Sequence, residues 1–145
     1  MKCLFSTVVL LGVATLTFGQ TSESSSNDTH PIEKRFADCL EKEEGQTTMG
    51  MMECAGKARD EWDKELNKYY KLLMGVLSAA EKTKLQQAQR KWIEYRDTEN
   101  AFSGEMYYNM EGTMWRITAV ERQVELVKER ALTLQSYYET LKESK

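Results

Sequence analysis

From Pro31 onward, apolar residues recur at alternating steps of three and four, the period of helices that bury one side. Thr29 or His30 followed by Pro31 marks a helix start, because proline suits the first turn, where its missing N–H would find no partner anyway. A short first helix is expected to run to about Glu43, with Gly45 breaking the pattern. Thr47 or Thr48 then caps a second helix whose stripe is Met52, Ala55, Ala58, Trp62, Leu66, Tyr69, Leu73 and Val76. Ser78 and Glu81 have the spacing of a capping box and open a third helix, striped by Leu85, Ala88, Trp92, Tyr95, Glu99, Phe102 and Met106, with Gly104 weakening its last turns. Gly112-Thr113 marks the next turn. The fourth helix carries Ile117, Val120, Val124, Val127, Ala131, Leu134, Tyr138 and Leu141 on one face.

Antiparallel helices joined by a tight turn pair residues whose numbers add to a constant, twice the turn position. Leu73 with Leu85, Leu66 with Trp92 and Trp62 with Tyr95 centre on the Ser78 cap, while Met106 with Ile117, Phe102 with Val120 and Trp92 with Ala131 centre beside Gly112. The expected fold is all-α. It is an elongated antiparallel bundle of three long helices, each of about 30 residues or roughly 45 Å, with a short N-terminal helix attached.

Composition supports this class: 41 % hydrophobic and 30 % charged residues with one proline and eight glycines leave little material for a turn-rich β fold. Before Pro31 the chain reads differently. Lys2, the apolar run Leu4 to Phe18 and the Thr17-Phe18-Gly19 junction form an export signal over residues 1–19, and the run is shorter than the roughly 20 apolar residues that cross a bilayer. Residues 20–30 are Ser/Thr/Asn-rich without a large apolar side chain and read as a flexible leader, with His30 solvated at its end and a sequon at Asn27-Asp28-Thr29. The helical domain is then 31–145, soluble and without a membrane span in the mature form, in a secreted or periplasmic location.

Cleavage would discard Cys3 and leave Cys39 and Cys54 in an oxidising compartment, which favours one disulfide over two buried thiols. On loop-entropy grounds such a link contributes about 3 kcal/mol. It would tether the first helix.

Chemistry is limited by what is missing. Twenty basic against 23 acidic residues give a net charge of −3, so no basic field exists for nucleic acid. With His30 the single histidine, a di-iron bundle, a protein zinc site and histidine-based catalysis all lack parts, and no haem-attachment motif is present. Glu94, Asp97 and Glu99 read as solvated or paired helical carboxylates, and Met49, Met51 and Met52 as packing residues. Glu99 on an apolar stripe needs an ion pair, with Arg96 or with another helix. No enzyme activity and no cofactor are expected.

An ordered set of motifs stands out: Cys39 and Cys54; Leu66-Asn67 with Tyr70; Leu85 with Gln89-Arg90; Trp92 with Tyr95-Arg96-Asp97; and Arg130 with Leu134. Over Cys39 to Leu134 the chain resembles the family of small exported proteins named for the N-terminal domain of the lysozyme inhibitor LprI. The family often has a second cysteine pair, absent here, with Asn100 near the first of its positions. The resemblance implies a helical, exported, non-enzymatic protein that binds and inhibits lysozyme, with a cell-envelope adaptor or scaffold for another envelope or host protein as the alternative. Its motif residues are expected to be mainly structural. Tyr107, Tyr108 and Asn109, at the third turn, are the candidate partner contacts, since a hairpin tip can enter a cleft that a bundle side cannot.

Overall fold

The computed structural model describes residues 29–144; the expected signal peptide and the leader up to Asp28 lie outside the described residues. Helix α1 spans Pro31–Leu40, a 3₁₀ turn follows at Glu43–Gln46, and three long helices complete the order: α2 Thr48–Val76, α3 Ala79–Tyr108 and α4 Met114–Glu143. No strand occurs among the described residues.

The caps follow the local chemistry. Thr47 accepts the Gly50 N–H at 3.0 Å. Both arms of the capping box form, with Glu81 accepting the Ser78 N–H at 2.8 Å and Ser78 Oγ accepting the Glu81 N–H at 3.4 Å. Gly112, at φ 102°, supplies the left-handed residue that turns α3 into α4. The residue before Pro31 departs from the expectation of a solvated histidine. His30 Nδ1 accepts the Ile32 N–H at 3.2 Å as the α1 cap, and its ring stacks on Trp62 with centroids 4.3 Å apart.

Helix α1 also ends earlier than expected, at Leu40 rather than near Glu43, because the chain must double back at once. A disulfide joins Cys39 to Cys54, and the first turn of α2 presses so closely on the 3₁₀ turn that a Cβ at Gly50 would collide with the Glu44 carbonyl. Glycine costs a helix about 1 kcal/mol relative to alanine. Here it allows the backbone contact.

The core lies between α2 and α4, with α1 laid over α2. Ile32, Ala55, Ala58, Trp62, Leu66, Leu73, Val124, Val127, Ala131 and Leu134 form one buried cluster. Helices α2 and α4 run parallel, since Arg59 bonds Gln123 at 3.2 Å and Tyr69 meets Tyr138 with ring centroids 6.1 Å apart, the numbers rising together. At the centre Trp62 is fully buried. Its indole N–H donates to Glu33 Oε1 of α1 at 3.1 Å, and Lys128 of α4 lies 3.4 Å from the same oxygen.

Helix α3 packs alongside α4, antiparallel to it: Gln89 bonds Arg130, Glu99 faces Arg122 at 3.6 Å, and Tyr107 stacks near Trp115. The turn-centred register for this pair is therefore close to that expected, but the faces differ. The long apolar stripe of α4 faces α2, with Leu85 and Trp92 of α3 packed at the edge of that core, and the rest of α3 follows a second face that carries the buried Ala119 and Leu126 with Arg122 and Arg130. The expected pairing of Trp62 with Tyr95 fails, because α2 and α3 form no packed interface and Tyr95 is 51 % exposed while Trp62 is buried. The cause is charge: Arg59, Asp60, Asp63 and Lys64 on α2 confront Arg96 and Asp97 on α3. Such groups are costly to bury as a dry seam.

Three outcomes are expected. Glu33→Ala leaves a buried indole N–H without its acceptor and should lower stability by about 1–3 kcal/mol in denaturant melts. Reducing Cys39–Cys54, which closes a loop of 15 residues, should cost about 3 kcal/mol and lower the melting temperature. The Ser78 hydroxyl, and then its backbone N–H, hold the Glu81 carboxyl below its ordinary value, so this cap stabilises at neutral pH and is lost as pH falls through the depressed pKa. Melting curves of wild type and Glu81→Gln should therefore converge on acidification.

Candidate functional site

The family-motif residues separate into three groups. On α2, Leu66 is buried, Tyr70 packs against the core, and Asn67 folds back on its own helix, donating to the Asp63 carbonyl at 2.8 Å and to its carboxylate at 2.9 Å. Along the α3–α4 seam the structure joins Gln89, Trp92, Arg96 and Arg130. The Trp92 ring has the Arg96 guanidinium 5.2 Å and the Arg130 guanidinium 5.9 Å from its centroid, and Arg130 Nε donates to Gln89 Oε1 at 3.1 Å. Arg90 and Tyr95 face solvent and belong to neither group.

Arg96 binds Asp97 through two nitrogens at 2.9 and 2.7 Å, so its carboxylate partner is its neighbour in sequence. Glu99 pairs with Arg122 of α4, the interhelical alternative. Burial pushes the Arg130 guanidinium below its ordinary value, with Tyr137 opposing the shift. Its Nη2 is buried without a hydrogen-bond partner.

At the α3–α4 turn, Tyr107, Tyr108 and Asn109 lie together with three residues that the periodicity assigned no special role, Met110, Met114 and Trp115. Tyr107 and Trp115 stack with centroids 6.0 Å apart and planes 12° from parallel. Met114 is 65 % exposed and Tyr108 53 %, with Met110 and Trp115 also exposed. Large apolar side chains left exposed together at a helix tip form the kind of patch that marks an interaction surface. Its charges are Glu105, Glu111 and Arg116, all exposed. The sequence signal was density: six aromatic, methionine or amide residues crowd into positions 107–115 beside a glycine.

A concavity opens where α2 and α3 stay apart. Arg59, Asp60, Asp63 and Lys64 form one wall, Arg96, Asp97 and Asn100 the other, with Gln123 and Val127 of α4 beneath, enclosing about 480 Å³. Among the described residues no group of three or more His, Cys, Asp or Glu side chains is placed to hold a metal ion. No described helix is long and apolar enough to cross a membrane.

Comparison with known proteins places these features in a family. A crystal structure of an uncharacterized protein from Burkholderia thailandensis superposes with a TM-score of 0.72 at 27 % identity, covering 77 % of this chain and 54 % of that one, so this chain spans about half of that protein's length. No curated protein matches the chain. The family model described as "Lysozyme inhibitor LprI" matches residues 39–134, from the first disulfide cysteine to the buried leucine of α4. With the match running across most of the described helices, the chain belongs to the LprI lysozyme-inhibitor family.

Proposed function

We propose that this protein is an exported inhibitor that binds a c-type lysozyme through the α3–α4 tip, without chemistry of its own. The observation that carries the reading is the exposed cluster of Tyr108, Met110, Met114 and Trp115, joined by the half-buried Tyr107, at the end of the helix pair. Aromatic and methionine side chains supply most of the energy of protein interfaces when they fill a pocket and lose their water. A substrate cleft is such a pocket. Helices α3 and α4 are joined through Gly112, so the tip is the free end of a helix pair, whereas the bundle sides run along helices of about 30 residues.

Charge supports the same partner. The chain carries −3 overall, and Glu105 and Glu111 flank the tip, so a cationic enzyme is attracted over a Debye length of about 10 Å at 0.1 M salt. Export fits a target outside the cell. The signal at residues 1–19 supports it, and amino-terminal sequencing of the exported protein should begin at Gln20.

The test is inhibition of cell-wall lysis by lysozyme. Micromolar mature protein should slow lysis, and binding should weaken as salt rises. Tyr108→Ala and Met114→Ala, both at exposed positions, should each weaken inhibition by about tenfold or more with unchanged melting temperature. Absence of binding at low salt would overturn the inhibitor reading. Full inhibition by both tip variants would overturn the assignment of the contact.

A further inference from the structure

The apolar stripe of α3 is only partly used. Leu85 and Trp92 pack against the core and Glu99 meets Arg122, but Ala88, Tyr95 and Phe102 of the same stripe stay exposed, Tyr95 by 51 % and Phe102 by 62 %. Seven residues are nearly two helical turns, so these three side chains stack in one line about 21 Å long. The line runs on the flank of α3 turned away from Asp97 and Asn100, and therefore away from the groove that faces α2. Tyr95 belongs to the family motif, yet its ring joins neither the core nor the Trp92 cluster.

Charge along α3 is polarised. Residues 79–96 carry five basic and two acidic side chains, whereas residues 97–108 carry three acidic and no basic one. Beside the exposed line, Lys84 and Lys91 stand at one end and Glu105 at the other, all in solvent. Lys91 pairs only with Glu94 of its own helix, at 2.7 Å, and Glu105 has no salt bridge among the described residues. A pair as exposed as Lys91–Glu94 is worth little and is readily exchanged.

Whatever covers this face must match both its rings and its polarity. A cationic protein is repelled at the lysine end, an anionic one at the Glu105 end, and residues 20–28 of this chain bring no large apolar side chain. A second α3 laid antiparallel matches both, because its acidic half falls on the basic half of the first. A parallel pair would set lysines against lysines. We propose that two copies of this protein associate through α3, antiparallel, about a two-fold axis beside Thr98 and Glu99. Tyr95 then lies opposite the partner's Phe102 and Lys91 opposite the partner's Glu105, and two-fold symmetry makes each contact twice. The two α3–α4 tips point to opposite ends of the pair. Association through this face is independent of lysozyme binding.

The experiment is sedimentation velocity of the mature, oxidised protein at low salt, from about 10 µM to about 1 mM. Wild type should pass from monomer to dimer with a Kd on the order of 100 µM or tighter, and added salt should weaken the dimer. Phe102→Glu, at an exposed position, should stay monomeric throughout with an unchanged melting temperature. Lys91→Glu and Glu105→Lys should each weaken self-association by about tenfold, since each sets like charges opposite one another twice. An equimolar mixture of these two variants should recover the wild-type dimer, because only the mixed pair places opposite charges at both contacts. The tip variant Tyr108→Ala should dimerise as wild type does. A wild-type monomer at every concentration would overturn the proposal, and if Phe102→Glu then weakened lysozyme binding the face would belong to the enzyme contact. A dimer that survives Phe102→Glu, a dimer lost in Tyr108→Ala, or a mixture no better associated than its separate components would each overturn it as well.

Discussion

One hydrogen bond organises the molecule: the indole N–H of Trp62, fully buried, reaches Glu33 on a helix only ten residues long. A buried donor must be paired, and the indole N–H is paired with a carboxylate of α1, so α1 has to be in place for the core to be complete. A ten-residue helix does not persist alone in water. It is held at both ends, by His30 capping and stacking at its start and by Cys39 bonded to Cys54 at its finish. Lys128 then balances the charge of Glu33, which ties α1, α2 and α4 together at one carboxylate.

That arrangement makes α4 the shared helix. Most of its apolar face is taken by α2 and the tryptophan, so that α3 reaches that core only through Leu85 and Trp92 and otherwise meets a second face that is partly small and partly arginine. The only buried residue of α3 is Ser103, whose hydroxyl returns to the Glu99 carbonyl at 2.7 Å, while Tyr95 and Phe102 stay exposed. Attachment of α3 rests on Leu85 and Trp92, which pack against the apolar core, together with the cation–π and ion-pair contacts around Trp92 and Glu99. The same division of faces leaves α2 and α3 apart along the groove that Arg59 and Arg96 line, while the α3–α4 turn at Gly112 stays exposed.

Helix existence, the caps at Thr47 and Ser78, the turn at Gly112 and the disulfide were all legible in the sequence, because each is set by short-range chemistry or by cysteine parity. Face assignment was not. A single stripe on α4 serves either neighbour equally well on paper, and its second face, Ala119 and Leu126 among arginines, resembles a solvated surface until Glu99 and Gln89 are seen to meet those arginines. His30 was misjudged for a related reason. Its role depends on Trp62, thirty-two positions away, and no local pattern encodes that stack. At the candidate contact the aromatic pair Tyr107-Tyr108 was visible, whereas Met114 and Trp115 read as an ordinary helix start; only the stack of Trp115 on Tyr107 joins them into one surface.

In the proposed function the core end of the molecule is structural and the far end of the α3–α4 pair makes the functional contact. Hydrogen exchange of the oxidised protein, alone and with an excess of c-type lysozyme, addresses both halves together. Protection should appear at the α3–α4 turn, around residues 105–116, with exchange in α1 and the first turns of α2 unchanged. Protection confined to α1 and the disulfide corner, with the tip exchanging as in the free protein, would contradict the account.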